Sequence, residues 1–168
     1  ELEVARAVVH MANASGGNSA DIGAVEMQAI FVSSANDAGA GSLRQAITDA
    51  NANAAGLDDI LFAEPFFTSQ ARTVNLASAL PPIASALTIN GPRADLLTLR
   101  RDAAADFRVF TINGGLAHVA LSGMTISNGS GPFGGGVQSN SPLSLTNARL
   151  TGNTALGGTP GGGLYLQE

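Results

Sequence analysis

Val119-Ala120-Leu121-Ser122-Gly123-Met124-Thr125-Ile126 and Leu143-Ser144-Leu145-Thr146-Asn147-Ala148-Arg149-Leu150 decide the reading of this chain. Val119, Leu121, Met124 and Ile126 match Leu143, Leu145, Ala148 and Leu150, each at an offset of 24 residues. Within each stretch, apolar residues alternate with small polar ones, the two-residue period of a strand with one face turned inward. Hairpins of an antiparallel sandwich do not require matched side chains so far apart. Coils stacked on one another do, because each strand then lies beside its equivalent one turn away.

Working outward, Gly134-Gly135-Gly136-Val137 returns as Gly161-Gly162-Gly163-Leu164 at an offset of 27, and Thr88-Ile89-Asn90-Gly91 returns as Thr111-Ile112-Asn113-Gly114 at an offset of 23. A drifting period with constant strand spacing describes coils joined by elastic turns. The fold class expected is therefore all-β, a right-handed parallel β-helix (solenoid) with a short N-terminal capping helix. Four to five coils are expected over residues 57–168, with strands near 73–76, 87–90, 109–112, 119–121, 124–126, 143–146 and 164–166. In such a stack Ile89, Ile112 and Ile126 or their neighbours form aliphatic columns. Asn90, Asn113 and Asn153 fall at corners, where a side-chain amide satisfies turn backbone.

Before the repeats, Ala29–Ser33 and Asp59–Phe62 read as strands. Ser42-Leu43-Arg44-Gln45 carries a capping-box pattern, with Leu43, Ala46, Ile47 and Ala50 on one helical stripe. A helix near 42–53 whose apolar stripe covers the first coil follows, since a bare solenoid end exposes both core and strand edges. At the N-terminus, Val4, Val8 and Met11 have helical spacing ahead of the breaker run Ser15-Gly16-Gly17-Asn18.

Composition is consistent with a narrow, regular core. Of the 168 residues 45% are hydrophobic but only 5% aromatic, with no Trp. Charged residues make up 12%, about half the usual share, and all the basic residues are Arg. A net charge of −5 with no basic patch argues against nucleic acid as a partner. No run approaches the ~20 apolar residues of a membrane span. The chain has no Cys, which removes disulfides and thiolate metal sites. The first residues do not read as a signal peptide, so any export signal is expected to have been removed or to lie outside this chain.

The segment Asn36-Asp37-Ala38-Gly39-Ala40-Gly41-Ser42-Leu43-Arg44-Gln45-Ala46-Ile47, followed by Asp49-Ala50-Asn51, resembles the entry segment of bacterial surface and secreted proteins with right-handed parallel β-helix domains. These include choice-of-anchor domain proteins and the repeats of polymorphic outer-membrane proteins. Leu80-Pro81-Pro82-Ile83 leading to Leu87–Gly91 resembles their first full coil, and residues 134–153 resemble their repeats. The likeness covers roughly residues 29–168 and implies an extracellular or cell-surface location. Asp21-Ile22-Gly23-Ala24-Val25-Glu26 resembles the closing segment of such domains, yet it precedes the entry segment. Residues 1–28 therefore read as a separate N-terminal segment from a preceding or permuted domain, and residues 29–168 as the β-helix proper.

Polysaccharide lyases and hydrolases need clustered carboxylates, and residues 107–167 contain no Asp or Glu. Asp95, Asp102 and Asp106 with Arg93, Arg100, Arg101 and Arg108 form one charged cluster, read as a solvated loop between coils. Asp58, Asp59 and Glu64 read as turn and surface residues. His10 and His118 have no second ligand nearby in sequence. The Gly runs lack the Lys-Ser/Thr of a phosphate loop and the Asp of a calcium-binding nonapeptide. No catalytic residue, cofactor or metal is expected.

The expectation is a non-catalytic structural module of an extracellular or cell-surface protein. Self-association through the open solenoid end would involve Asp21, Ile22, Val25, Leu164 and Leu166, with neighbouring β-helix domains as alternative partners. Two rival readings are a fragment of a pectate-lyase-like polysaccharide-active enzyme and a glycan-binding adhesin module using the Asn, Thr and Ser of one face.

Overall fold

The structure, a computed structural model, describes residues 29–53 and 57–167. The helix expected over residues 1–14 and the motif Asp21–Glu26 lie outside the described residues. The described chain forms a β-solenoid of about five turns with one short helix. Its elements run β1 (Ala29–Val32), α1 (Leu43–Ala52), β2 (Asp58–Phe62), β3 (Arg72–Leu76), β4 (Leu87–Asn90), β5 (Leu97–Arg101) and β6 (Phe110–Ile112). There follow β7 (Val119–Ser122), β8 (Thr125–Ser127), β9 (Ser130–Gly131), β10 (Val137–Ser139), β11 (Leu143–Thr146), β12 (Arg149–Thr151), β13 (Thr154–Ala155) and β14 (Leu164–Leu166).

These strands stack into sheets of order β1-β2-β4-β7-β11, β3-β5-β8-β12, β6-β10-β14 and β9-β13, every pairing parallel. Alternation explains the core. On the first sheet Ile60, Ile89 and Leu121 point inward in register and are fully buried, while Asp59, Thr88 and Ala120 face outward. Val74, Leu99 and Ile126 form the inner column of the second sheet, and Phe110 and Val137 that of the third. Each such side chain contributes about 1.5–3 kcal/mol by leaving water.

The coils are unequal. Ile30 pairs with Ile60, 30 residues on, Ile60 with Ile89 after 29, Ile89 with Leu121 after 32, and Leu121 with Leu145 after 24. The 24-residue offset and the 27-residue return of the Gly runs are thus true coil steps, with Val137 beside Leu164. The 23-residue echo of Thr88–Gly91 in Thr111–Gly114 is not. Ile89 sits in the first sheet and Ile112 in the third, so Ile89, Ile112 and Ile126 form three separate columns rather than one. Different sides of one coil use the same strand-and-corner wording, and this mimics a coil period.

Five strands, β5, β9, β10, β12 and β13, lie outside those the sequence reading expects, and β5 lies where it places a loop. β5 runs through the charged cluster, with Leu97 and Leu99 fully buried and Arg100 on the outer side. β10 follows the Gly run at 134–136. Asp58 also departs from expectation, for it is fully buried in β2 in register with Leu87, and the Asn53 amide donates to it at 3.2 Å. The loop between β2 and β3 folds inward on edge-to-face contacts of Phe67 with Phe62 and Phe66.

Candidate functional site

The two ends of the stack differ, and the difference defines the candidate site. At the β1 end, α1 lies across the core with Leu43, Ala46, Ile47 and Ala50 all buried. Its start is fixed by Ser42, whose Oγ accepts the Gln45 main-chain N–H at 3.2 Å. The capping pattern is only half used, because the Gln45 amide donates to Asp49 at 2.7 Å, while the Ser42 N–H donates to the Gly39 carbonyl. Arg44 then ties the helix to the second coil by donating to the Ala79 and Ser78 carbonyls at 2.5 and 2.9 Å and to Asp37 at 2.6 Å.

At the other end nothing comparable lies over the core among the described residues. β11, β12, β13 and β14 are each the last strand of their sheets. The inward columns open at this level. Leu121, Ile126 and Val137 are fully buried, whereas Leu145, Leu150 and Leu164 in the next coil are only half-buried, and Leu166 is 52% exposed. A cavity of about 570 Å³ between Asn140, Ser141, Pro142, Leu143, Leu166 and Gln167 opens on the same rim. Unpaired strand edges around an apolar centre are a template for further strands.

Of the residues singled out for assembly, Leu164 and Leu166 belong to this edge, while Asp21, Ile22 and Val25 lie outside the described residues. Ser42, Gln45, Leu43 and Ile47 gather at the opposite end.

The charged cluster does not converge. Arg93 forms a two-pronged pair with Asp95, Arg100 pairs with Asp102 at 3.5 Å, and Arg101 is turned to the carbonyls of Ala103, Ala105 and Asn128. The hydrogen bond from Arg93 holds the Asp95 carboxyl below its ordinary pKa, and the same bond raises that of Arg93. Both are exposed, as in a surface ion pair. A groove of about 480 Å³ passes here between Pro92–Asp95 and Asn147–Arg149. Among the described residues, no three of His, Asp and Glu gather as a metal site would require, and no helix is long and apolar enough to cross a membrane.

Of the corner residues Asn90, Asn113 and Asn153, it is Asn153 whose amide serves the backbone. Asn153 accepts the Gly129 N–H at 2.8 Å and donates to the Ile126 carbonyl at 2.9 Å, while Asn90 accepts the Ser122 hydroxyl at 2.9 Å. Sequence reasoning missed Phe133 and Tyr165, whose rings meet at 5.2 Å on the outside of the third sheet. The one signal available was that Tyr165 is the only Tyr in the chain.

No protein-family model, curated protein or solved structure matches this chain.

Proposed function

We propose that this chain is a non-catalytic structural module of an extracellular or cell-surface protein, and that it stacks head to tail through the edge formed by β11, β12, β13 and β14. The observation behind this reading is the asymmetry of the ends among the described residues: an apolar lid lies over one, and the same columns open at the other. Low charge and faces rich in Ser, Thr and Asn suit close stacking, since little charge has to be desolvated. The resemblance to surface-exposed β-helix proteins supports the location.

The segment proposed to complete the open edge of the next copy is residues 1–28, through Asp21–Glu26. Such a contact is heterologous and extends into a filament rather than closing on itself. Light scattering and electron microscopy of the whole chain and of residues 29–168 test it. Polymers are expected from the first and not from the second, and polymers formed equally by both remove the role of residues 1–28. Leu150→Lys, which places a charge in the open column, is expected to abolish stacking in the whole chain.

A further inference from the structure

Phe133 is out of place by two physical criteria. Its φ is 52°, in the left-handed region that bulky residues rarely enter, and the residue is 42% exposed. A turn that needed only the backbone shape would carry Gly or Asn, as Asn128 and Asn147 do at other positive-φ corners. Holding a strained aromatic side chain in water opposes both backbone preference and the hydrophobic effect.

The neighbourhood is built to hold that ring. Arg108 donates through Nε to the Gly134 carbonyl at 3.3 Å and through Nη2 to the Pro132 carbonyl, so it grips the turn on both sides of Phe133. Its Nη1 donates to the Gln138 amide oxygen. The Phe133 N–H donates to Thr159 Oγ1 at 3.0 Å, one coil further on. Tyr165 lies in the space left by two glycines. A Cβ on Gly134 would stand 3.0 Å from Tyr165 Cβ, and one on Gly161 would stand 3.1 Å away. The two rings meet at 50°. Thr111, Gln138 and Tyr165 are in register on the outer side of β6, β10 and β14, and the Gln138 amide donates to Asn140 at 3.4 Å.

We infer that this outer face, with Phe133 and Tyr165 as an aromatic platform beside Arg108 and Gln138, binds a pyranose oligosaccharide that carries carboxylates. A pyranose ring offers an apolar C–H face for an aromatic side chain and a rim of hydroxyls for amides and hydroxyls. The carboxylate follows from charge. Arg108 forms no ion pair among the described residues, and its acceptors are carbonyls and an amide, which cancel no charge. No Asp or Glu occurs in residues 107–167, which include all of β6, β10 and β14, and the nearest carboxylate in sequence is that of Asp106, two residues before Arg108. Burial independently lowers the Arg108 pKa, a cost that a bound anion offsets. Single-stranded nucleic acid also stacks on aromatic rings, but it needs a track of cations along its backbone. Arg108 and Arg149 are the only Arg in this span and the chain contains no Lys.

The inference does not depend on the stacking proposed above. Since the chain contains one Tyr and no Trp, the intrinsic fluorescence of the intact chain reports on Tyr165 itself. Three probes are titrated: a β-1,4-linked mannuronate hexamer, the uncharged β-1,4-mannohexaose of the same ring and linkage, and a short oligothymidylate. The expected result is a saturable change with the mannuronate at a Kd of roughly 0.1–1 mM, weakened about tenfold or more for mannohexaose. Phe133→Gly and Phe133→Asn, both at ease at positive φ, are expected to unfold no earlier than the parent and to bind about tenfold more weakly. Four results would overturn the assignment: no saturable change up to ~10 mM mannuronate, equal affinity for mannohexaose, tighter binding of the oligothymidylate, or undiminished binding by a folded Phe133 variant.

Discussion

Gly91 and Gly123 face each other across one coil step, each so close that a Cβ on either would run into the carbonyl oxygen of the other. They follow Asn90 and Ser122, which are in register at the ends of β4 and β7, and the Gly91 N–H donates to the Ser122 carbonyl at 2.9 Å. The corner between the first and second sheets is as tight as backbone allows.

Gly91→Ala is therefore expected to destabilise by roughly 1–3 kcal/mol through overpacking alone. Gly123→Ala should cost about 1–2 kcal/mol more, because Gly123 also holds φ at 63°. The double variant should lose less than the sum, since both side chains push the same two carbonyls apart. Denaturant unfolding of the three variants checks all of this.

The helical lid predicts a second outcome. Ile47 is fully buried between α1 and the first coil. Ile47→Asp removes its packing and introduces a carboxylate with no partner, a loss on the order of 3–5 kcal/mol. An unfolding temperature equal to that of the parent would mean that α1 does not close the stack.

Arg44 fastens the lid from outside. Replacing it with Met keeps most of the aliphatic stem but removes the bonds to Asp37, Ser78 and Ala79. A loss of roughly 1.5–3 kcal/mol is expected, the usual range for hydrogen bonds to a charged group. Hydrogen exchange should show α1 opening ahead of the β7–β8 region, and uniform loss of protection along the solenoid would contradict a local tether.

Asn153 predicts a similar cost at the other end. Its amide bridges Ile126 and Gly129 in the preceding coil, close against Gly129 and Gly136. Asn153→Ala takes away the acceptor of the Gly129 N–H and one of the donors to the Ile126 carbonyl, which also sits in the β8–β12 ladder, so the cost is about 1–3 kcal/mol, for the N–H if it stays dry. Asn153→Ser, too short to span both groups, should recover less than half of that loss in thermal unfolding.

Legibility along the sequence followed local pattern. Leu143–Thr146 and Leu164–Leu166 were readable because the alternation of Leu with a polar residue is unbroken, and α1 because its cap and its apolar stripe agree. Leu97–Arg101 was not, since Arg100, Arg101 and Asp102 disguise the inward Leu97 and Leu99 as part of a charged loop. Coil membership was harder still. Thr88-Ile89-Asn90-Gly91 and Thr111-Ile112-Asn113-Gly114 are alike because both are strand and corner, and only the strand pairings assign them to different sheets. At the candidate edge, Leu164 and Leu166 are legible from the return of the Gly run at 161–163 ahead of them. The Phe133 platform was not, because it depends on a left-handed turn and on Arg108, 25 residues earlier in the chain.

The unequal coil steps have a mechanical consequence. In a parallel stack, tension applied between Ala29 and Gln167 acts across the rungs, so turns peel away in sequence instead of the whole body yielding in shear. Each turn that detaches releases its own length of chain, roughly 80 Å for the 24-residue step and roughly 110 Å for the 32-residue step. Within residues 29–167 the last coil holds its side chains half in water while the first is clamped by α1, so under tension applied between those residues the last coil is expected to detach first. The lengths released are thus written in the spacing of the corners.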